Sequence, residues 1–372
     1  MAEAKVTPAH GAEQVRQLLD SPEVRAFVRE LDDTRWTGRP GYGNRALVGL
    51  ALAKSVYCLP TWSRACRLVA EHDALRAVLG GAPSQQAAYR FTRRLAEHRE
   101  LLGAALDAVV ARLAVEMPGY GDTLAIDGSD MPAYANGQKY VRKGGPLRER
   151  YSDPDASWGH RSAVSTRAKG SFYGFKLHAA ICTTTGLPVA WTVRTAKDSE
   201  HPEVAALLDI AKGRGVVPSV AVLDKGYDSA DIYAELIGRK IRPVISLSQS
   251  LRVKRGEHLP PTCGHGEWTF AGADDKRQAT KWRCPTGACK PASLWRPYSR
   301  LHPPIPHDSE RWWGFYRQRG AVERGFGSLK NEHGLAPLRV RRIGRVRLHA
   351  DLTILTTLAA ALARARAVPL AA

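Results

Sequence analysis

The chain has 372 residues, room for two or three domains with a sizeable core, and its 44% hydrophobic content fits a globular protein. Lys+Arg 55 against Asp+Glu 36 gives a net charge of +19 and a pI near 9.9, so a polyanionic partner is expected, nucleic acid first, although membrane-surface and ribosomal proteins share the signature. The N-terminus lacks the layout of a secretory signal, and the longest apolar run, Leu352 to Ala363, falls short of the roughly 20 residues of a membrane span. The expectation is therefore a cytosolic, nucleoid-associated protein without a membrane partner, whose six cysteines are buried thiols or metal ligands rather than a disulfide framework.

Residues 1–40 read as an arm, loosely ordered or peripheral, with Gly38 to Gly43 as a linker. Residues 41–118 read as a helical DNA-binding domain, with helices over 45–59, 61–72, 73–79, 84–98 and 99–116, and with Thr61, Asp73 and Ser84 as N-caps. The helix from Ser84 carries Gln85, Gln86, Arg90, Arg93 and Arg94 after a Gly/Pro turn. A groove-reading helix would have this make-up, and so would a packed surface helix with solvated arginines.

Past Pro118 the period changes to strands, and residues 119–372 read as one α/β domain, the catalytic one if the motifs below are what they resemble. Strands are expected over 123–127, 172–183, 187–195, 219–223 and 241–245, with helices over 200–212 and 229–239 and a final helix over 316–330. This is the element order of an α/β protein with an RNase H-like mixed sheet and flanking helices. An insertion, 246–308, precedes the final helix and is too long to be structureless. It holds Cys263, His265, Cys284 and Cys289, three thiolates and an imidazole that suit a structural Zn²⁺, with His258 as a substitute for His265 and free reduced thiols as the alternative. Cys58, Cys66 and Cys182 sit in apolar periods and read as core.

Asp127 and Asp224 each follow a strand, and those strands are expected to be neighbours. Paired there, the carboxylates would need cationic compensation, which two Mg²⁺ ions, or Mn²⁺, would supply for phosphodiester displacement. A lone aspartate at such a place is more commonly a turn or cap residue, and Asp130 and Asp228 are rival ligands.

In the stretch 316–330, Tyr316, Arg319, Glu323 and Lys330 would fall within about 60° of arc on a helix. Phe315, Val322, Phe326 and Leu329 would form an adjacent apolar stripe, while Gly320, Gly325 and Gly327 weigh against a helix. This spacing closely resembles the YREK signature of DDE transposases from bacterial insertion sequences, and Asp127-Gly128 and Asp224-Lys225-Gly226-Tyr227 resemble that family's other two acidic motifs. The segment from Gly38 through Leu95 resembles, more loosely, the family's N-terminal helical domain. The resemblance implies that Asp127, Asp224 and Glu323 are catalytic metal ligands, that Tyr316, Arg319 and Lys330 touch transposon-end DNA, and that a homodimer bridges two ends.

From Tyr316 to Arg347 nine Lys/Arg stand against two Glu, a net of +7, with Arg339, Arg341 and Arg342 as further DNA contacts. From Lys139 to Lys176 nine stand against three acids, a net of +6, interleaved with Trp158, Phe172 and Tyr173 as stacking candidates, Phe172 reading rather as core. A transposase acting on double-stranded DNA is the expected function. A structure-selective nuclease of the same fold and a non-catalytic DNA-binding protein are the competing readings.

Overall fold

The computed structural model describes residues 8–34, 41–138, 140–141, 149–161, 170–248 and 260–367. Part of the expected linker, much of the basic run between Lys139 and Lys176, and His258 lie outside them.

The expected N-terminal arm is instead two helices, α1 (Pro8–Asp20) and α2 (Pro22–Asp33), whose Leu18, Leu19, Phe27 and Leu31 are fully buried. Their apolar residues recur at helical spacing, and burying that stripe holds the segment down. Five more helices follow at nearly the expected bounds: α3 (Asn44–Val56), α4 (Trp62–Glu71), α5 (Asp73–Leu79), α6 (Gln85–Glu97) and α7 (Arg99–Glu116). Thr61 and Ser84 cap as read, accepting the Arg64 and Ala87 N–H groups at 3.2 Å each, whereas Asp73 sits one residue inside α5.

The sheet is mixed and six-stranded. At its centre β1 (Thr123–Pro132) runs antiparallel to β5 (Gly170–Cys182) and parallel to β7 (Val220–Leu223), which in turn pairs in parallel with β8 (Arg242–Ile245). β5 also pairs with β6 (Pro188–Thr195) and, further toward its start, with β4 (Ser157–Arg161), a strand not foreseen from sequence. A short ribbon, β2 (Tyr140–Val141) and β3 (Glu149–Arg150), stands apart.

Helices cover both faces. α8 (His201–Gly213) packs on β5 and β6, and α9 (Ala230–Gly238), capped by Ser229, packs on β8. On the face that carries Val220 and Val222 lie α10 (Glu310–Tyr316) and α11 (Gly320–Asn331), with Trp312 buried against Val220, Val222 and Val244. This is the mixed α/β architecture with an N-terminal helical region that the element order implies.

The long α12 (Ile343–Ala367) runs between the helical layer and the sheet, packing on α7, α3 and β6, so one hydrophobic core spans both. It is the one helix among the described residues long and apolar enough to cross a membrane, yet 78% of its most apolar window is buried inside the protein.

The insertion folds as two small β units, β9 (Thr262–Cys263) with β10 (Gly266–Glu267), and β11 (Thr269–Asp274), β12 (Ala279–Arg283) and β13 (Ser293–Pro297). Among the described residues its own core is Trp268, Trp282 and Cys284, with Cys263, Cys289 and Leu294 packed on it.

Candidate active site where β1 and β7 part

The β1/β7 ladder aligns Thr123 with Val220 and Ala125 with Val222, then stops, while β1 continues along β5 to Pro132. Asp127 and Asp224 each lie two residues past that last pair, matched in register at the mouth of the opening. Asp127 is thus inside its strand rather than at its end, as read from sequence, because β5 carries the ladder on. Its Oδ1 accepts the Gly128 N–H at 2.7 Å. Asp224 accepts the Gly226 N–H at 2.7 Å, and a Cβ at Gly226 would come within 2.9 Å of that same oxygen, so the turn requires glycine there.

Although the strands have parted here, the two carboxylates are near enough for Asp224 to repel a charge on Asp127. Burial pushes the Asp127 carboxyl up to about 7, the Gly128 N–H and Arg319 oppose that rise, and Asp224 and Glu200 add to it.

The stretch 316–330 is not the single helix that its spacing predicts. α10 ends at Tyr316, a 3₁₀ turn covers Arg317–Arg319, and α11 begins at Gly320. Two packing surfaces force the break: Trp312 and Tyr316 lie with the Val220, Val222 and Val244 cluster, whereas Val322, Phe326 and Leu329 join the main core. Tyr316 is stacked on Trp312, with ring centroids 4.5 Å apart, and lies near enough to Arg319 for the two to interact electrostatically. Gly325 permits close approach, since a Cβ there would meet the Gly186 carbonyl and Ile181 at 2.7 Å.

Arg319, Glu323 and Lys330 follow the break and reach the β1 side of the site. Arg319 donates to Glu323 Oε1 at 2.7 Å and stands 3.6 Å from Asp127 Oδ2, so one guanidinium reaches both acids. Lys330 Nζ donates to Ser129 Oγ and to the Asp130 carbonyl, both at 2.7 Å, and pins the end of α11 to β1. Among the described residues the three acids do not bring their oxygens within 4.8 Å of one another, since Arg319 lies between two of them. Three hard oxygen donors around an inserted cation, one of them with its pKa raised, form a set that fits Mg²⁺ or Mn²⁺.

The rival aspartates separate cleanly. Asp228 is fully buried under Arg300, which forks onto both its oxygens at 2.7 Å, and it also accepts the Ser248 N–H. Asp130 alternates to the opposite face of β1 from Asp127.

Sequence reasoning missed three residues near the acids, Glu200, Lys176 and His178. Glu200, at the start of α8, accepts Lys176 Nζ at 2.6 Å and hydrogen-bonds the buried Tyr227. His178, directly across from Gly128, is buried with neither ring nitrogen paired among the described residues, and burial lowers its pKa. Glu200 carries the same signal as the aspartates, an acid just past the end of a strand, which could have found it.

Of the basic residues, Arg339 and Arg341 stack on Tyr134, 5.2 and 5.3 Å from its centroid, whereas Arg342 turns to Asp155 at 3.2 Å. Arg94 is drawn onto Asn44, while Gln85, Gln86, Arg90 and Arg93 stay exposed on α6. Trp158 is half-exposed, and Phe172 and Tyr173 are core. In the insertion the sulfurs of Cys263, Cys284 and Cys289 all lie within 4.8 Å of one another. His265 is exposed at the β9/β10 turn and outside that group, because the two-residue turn points it away.

Residues 120–359 match the family model described as "Transposase DDE domain", and the chain belongs to that family. It is thus a transposase, of a class of DNA-cutting enzymes whose DDE domains generally use divalent metal ions. Among solved structures, the cryo-EM structure of piggyBac transposase synaptic complex with hairpin DNA is similar at a TM-score of 0.39 and 12% identity, over 94% of this chain and 74% of that one. No curated protein matches the sequence.

Proposed function

We propose that the protein is an insertion-sequence transposase of the YREK group that binds the terminal inverted repeats of its element, cuts a phosphodiester at each end and joins the freed 3′-hydroxyl to target DNA. The observation that carries this reading is the register match of Asp127 and Asp224, with Glu323 tied to Asp127 through the shared Arg319 guanidinium.

In this reading Asp127, Asp224 and Glu323 hold Mg²⁺ or Mn²⁺, which when bound supplies activation of the attacking oxygen and stabilisation of the leaving one. Arg319, which reaches both Asp127 and Glu323, is placed to offer its guanidinium to a DNA phosphate beside the acids. Lys330 keeps α11, and Glu323 with it, aligned on β1. Tyr316, braced on Trp312, offers its phenol to the end DNA. Coordinated cutting at two ends calls for a homodimer.

The test offers a pre-cleaved element end, a plasmid target and Mg²⁺ to the full chain. Joined products are expected with the native protein and none with Asp224→Ala. Hydrolysis without joining would favour a structure-selective nuclease, and DNA processing unchanged by Asp224→Ala would leave a non-catalytic DNA-binding role.

We further assign Cys263, Cys284 and Cys289 to a structural Zn²⁺, without His265. The support is three soft donors converging in a subdomain whose own core is too small to stand without a staple.

A further inference from the structure

A cavity of about 870 Å³ opens between α3, α4 and α6 on one side and residues 339–349 on the other. Its charged and titratable lining is Lys54, Arg93, Arg339, Arg341, Arg345 and His349, and among the described residues no acid faces it. A cluster of arginines on a basic protein is ordinarily a solvated face. Lys54 is what such a face does not have. It is only 6% exposed, stands 5.9 Å from the Trp62 ring, and has no hydrogen-bond or ion-pair partner among the described residues.

Burying an ammonium without a counter-charge is costly, and burial holds this one down to about 8. The nearby imidazole gives no relief: His349 donates Nε2–H to the Leu335 carbonyl, and burial, with Lys54 adding, holds its pKa down to about 3. An ammonium kept in that state and facing an open cavity lacks an anion.

The walls of the cavity are tied to the elements that carry the active site. The Cys58 thiol, one turn past Lys54, donates to the Asn331 carbonyl at 3.1 Å, and Asn331 follows the Lys330 that grips β1 beyond Asp127. On the other wall, Tyr134 lies two residues past the end of β1. Tyr89 and Tyr134 line the opening at 56% and 46% exposure, two aromatic rings among phosphate-seeking cations.

We propose that this groove is a second DNA contact, a seat for the phosphodiester backbone of a strand leaving the active site, with Tyr89 and Tyr134 as stacking surfaces for an unpaired base. It rests on the transposase reading and extends the DNA path onto the helical layer. Lys54, Arg93 and Arg345 contact phosphates in it, while Arg339 and Arg341 lie against the Tyr134 ring, which keeps 46% of its surface exposed.

The test is the salt dependence of binding, measured with the full chain and a fluorescein-labelled duplex bearing a 3′ single-stranded overhang. Each phosphate contact contributes about 0.9 to the slope of log K against log [salt] on duplex DNA and about 0.7 on a single strand. Lys54→Met, Arg93→Gln and Arg345→Gln should each lower the slope by about that amount. Lys240→Gln, an exposed cation after α9, should not. Lys54→Met should melt no lower than the native protein, because it removes an unpaired buried charge. Irradiation with iododeoxyuridine in the overhang should label peptides containing Tyr89 or Tyr134. Native DNA binding with slopes unchanged in all three variants, and no label on either tyrosine, would overturn the groove and leave the transposase reading standing. Absence of any DNA binding by the native chain would overturn both. Inorganic phosphate that displaced the duplex beyond an equal ionic strength of KCl would mark a small-anion site and overturn the proposal as well.

Discussion

The crevice beside β1 and the cysteine insertion each gather three ligand-type residues, and they differ in how finished they are. In the insertion, sulfurs from residues 263, 284 and 289 already lie within 4.8 Å of one another, and two of them are 3.9 Å apart. In the crevice the acids are aligned but held open, with Arg319 between Asp127 and Glu323, and Glu323 is 62% exposed. A structural site closes on its ion because its task is to hold two loops together, whereas a catalytic site keeps room for the substrate. On the proposed assignments, closeness of ligands goes with a structural role here, and a tuned but incomplete set with a chemical one.

The largest expected effect breaks the comparison on its chemical side. Asp224→Asn should lower DNA cleavage by about 10³-fold or more while the melting temperature stays near native, checked by gel assay and calorimetry. Next, Cys284→Ser, or strong chelation under reducing conditions, should release about one zinc per chain and strip hydrogen-exchange protection from 262–297. Protection of the main sheet should persist, and Cys58→Ser and His265→Ala should keep the metal. Absence of zinc from the native chain after reconstitution would remove the structural half of the contrast.

A smaller effect concerns Asp127. Its carboxyl titrates at about 7 in the folded state against 3.8 unfolded, so the folded chain holds the extra proton between those values. The stability this group contributes is present below pH 3.8 and lost as pH rises through 7. Asp127→Asn should then stabilise the protein by roughly 1–3 kcal/mol at pH 8 without divalent ions, and hardly at all near pH 4, while abolishing cleavage. Smallest is the seating of α11. Gly325→Ala should cost about 1–3 kcal/mol through its clash with Gly186 and Ile181, whereas Gly327→Ala, which meets open space, should gain up to about 1 kcal/mol.

Periodicity made the order of elements along the chain and most helices readable, because their apolar faces sit at regular spacing. It misjudged α1 and α2, since Gly11 and the clustered acids of that stretch mask an amphipathic stripe that only its partners α3 and α7 justify. Asp127, Asp224 and Glu323 were visible as acids at expected places. Glu200, Lys176 and His178 were not, since what gathers them is the cross-strand register of β1, β5 and the start of α8, a long-range property. The glycines counted against a helix in 316–330 have the opposite meaning at Gly325, where absence of a side chain lets helix and sheet touch. His265 shows the limit of spacing rules: two residues from Cys263 in sequence, it is turned outward by the hairpin.

The most direct measurement of the claim that three acids share one site is a Mn²⁺ titration of the full chain, followed by electron paramagnetic resonance at pH 7.5. Asp127→Asn, Asp224→Asn and Glu323→Gln should each weaken binding by about tenfold or more, and any two together should add little to the worse of the pair. Native Mn²⁺ affinity in Glu323→Gln would contradict the account, for it would leave the α11 carboxylate outside the site.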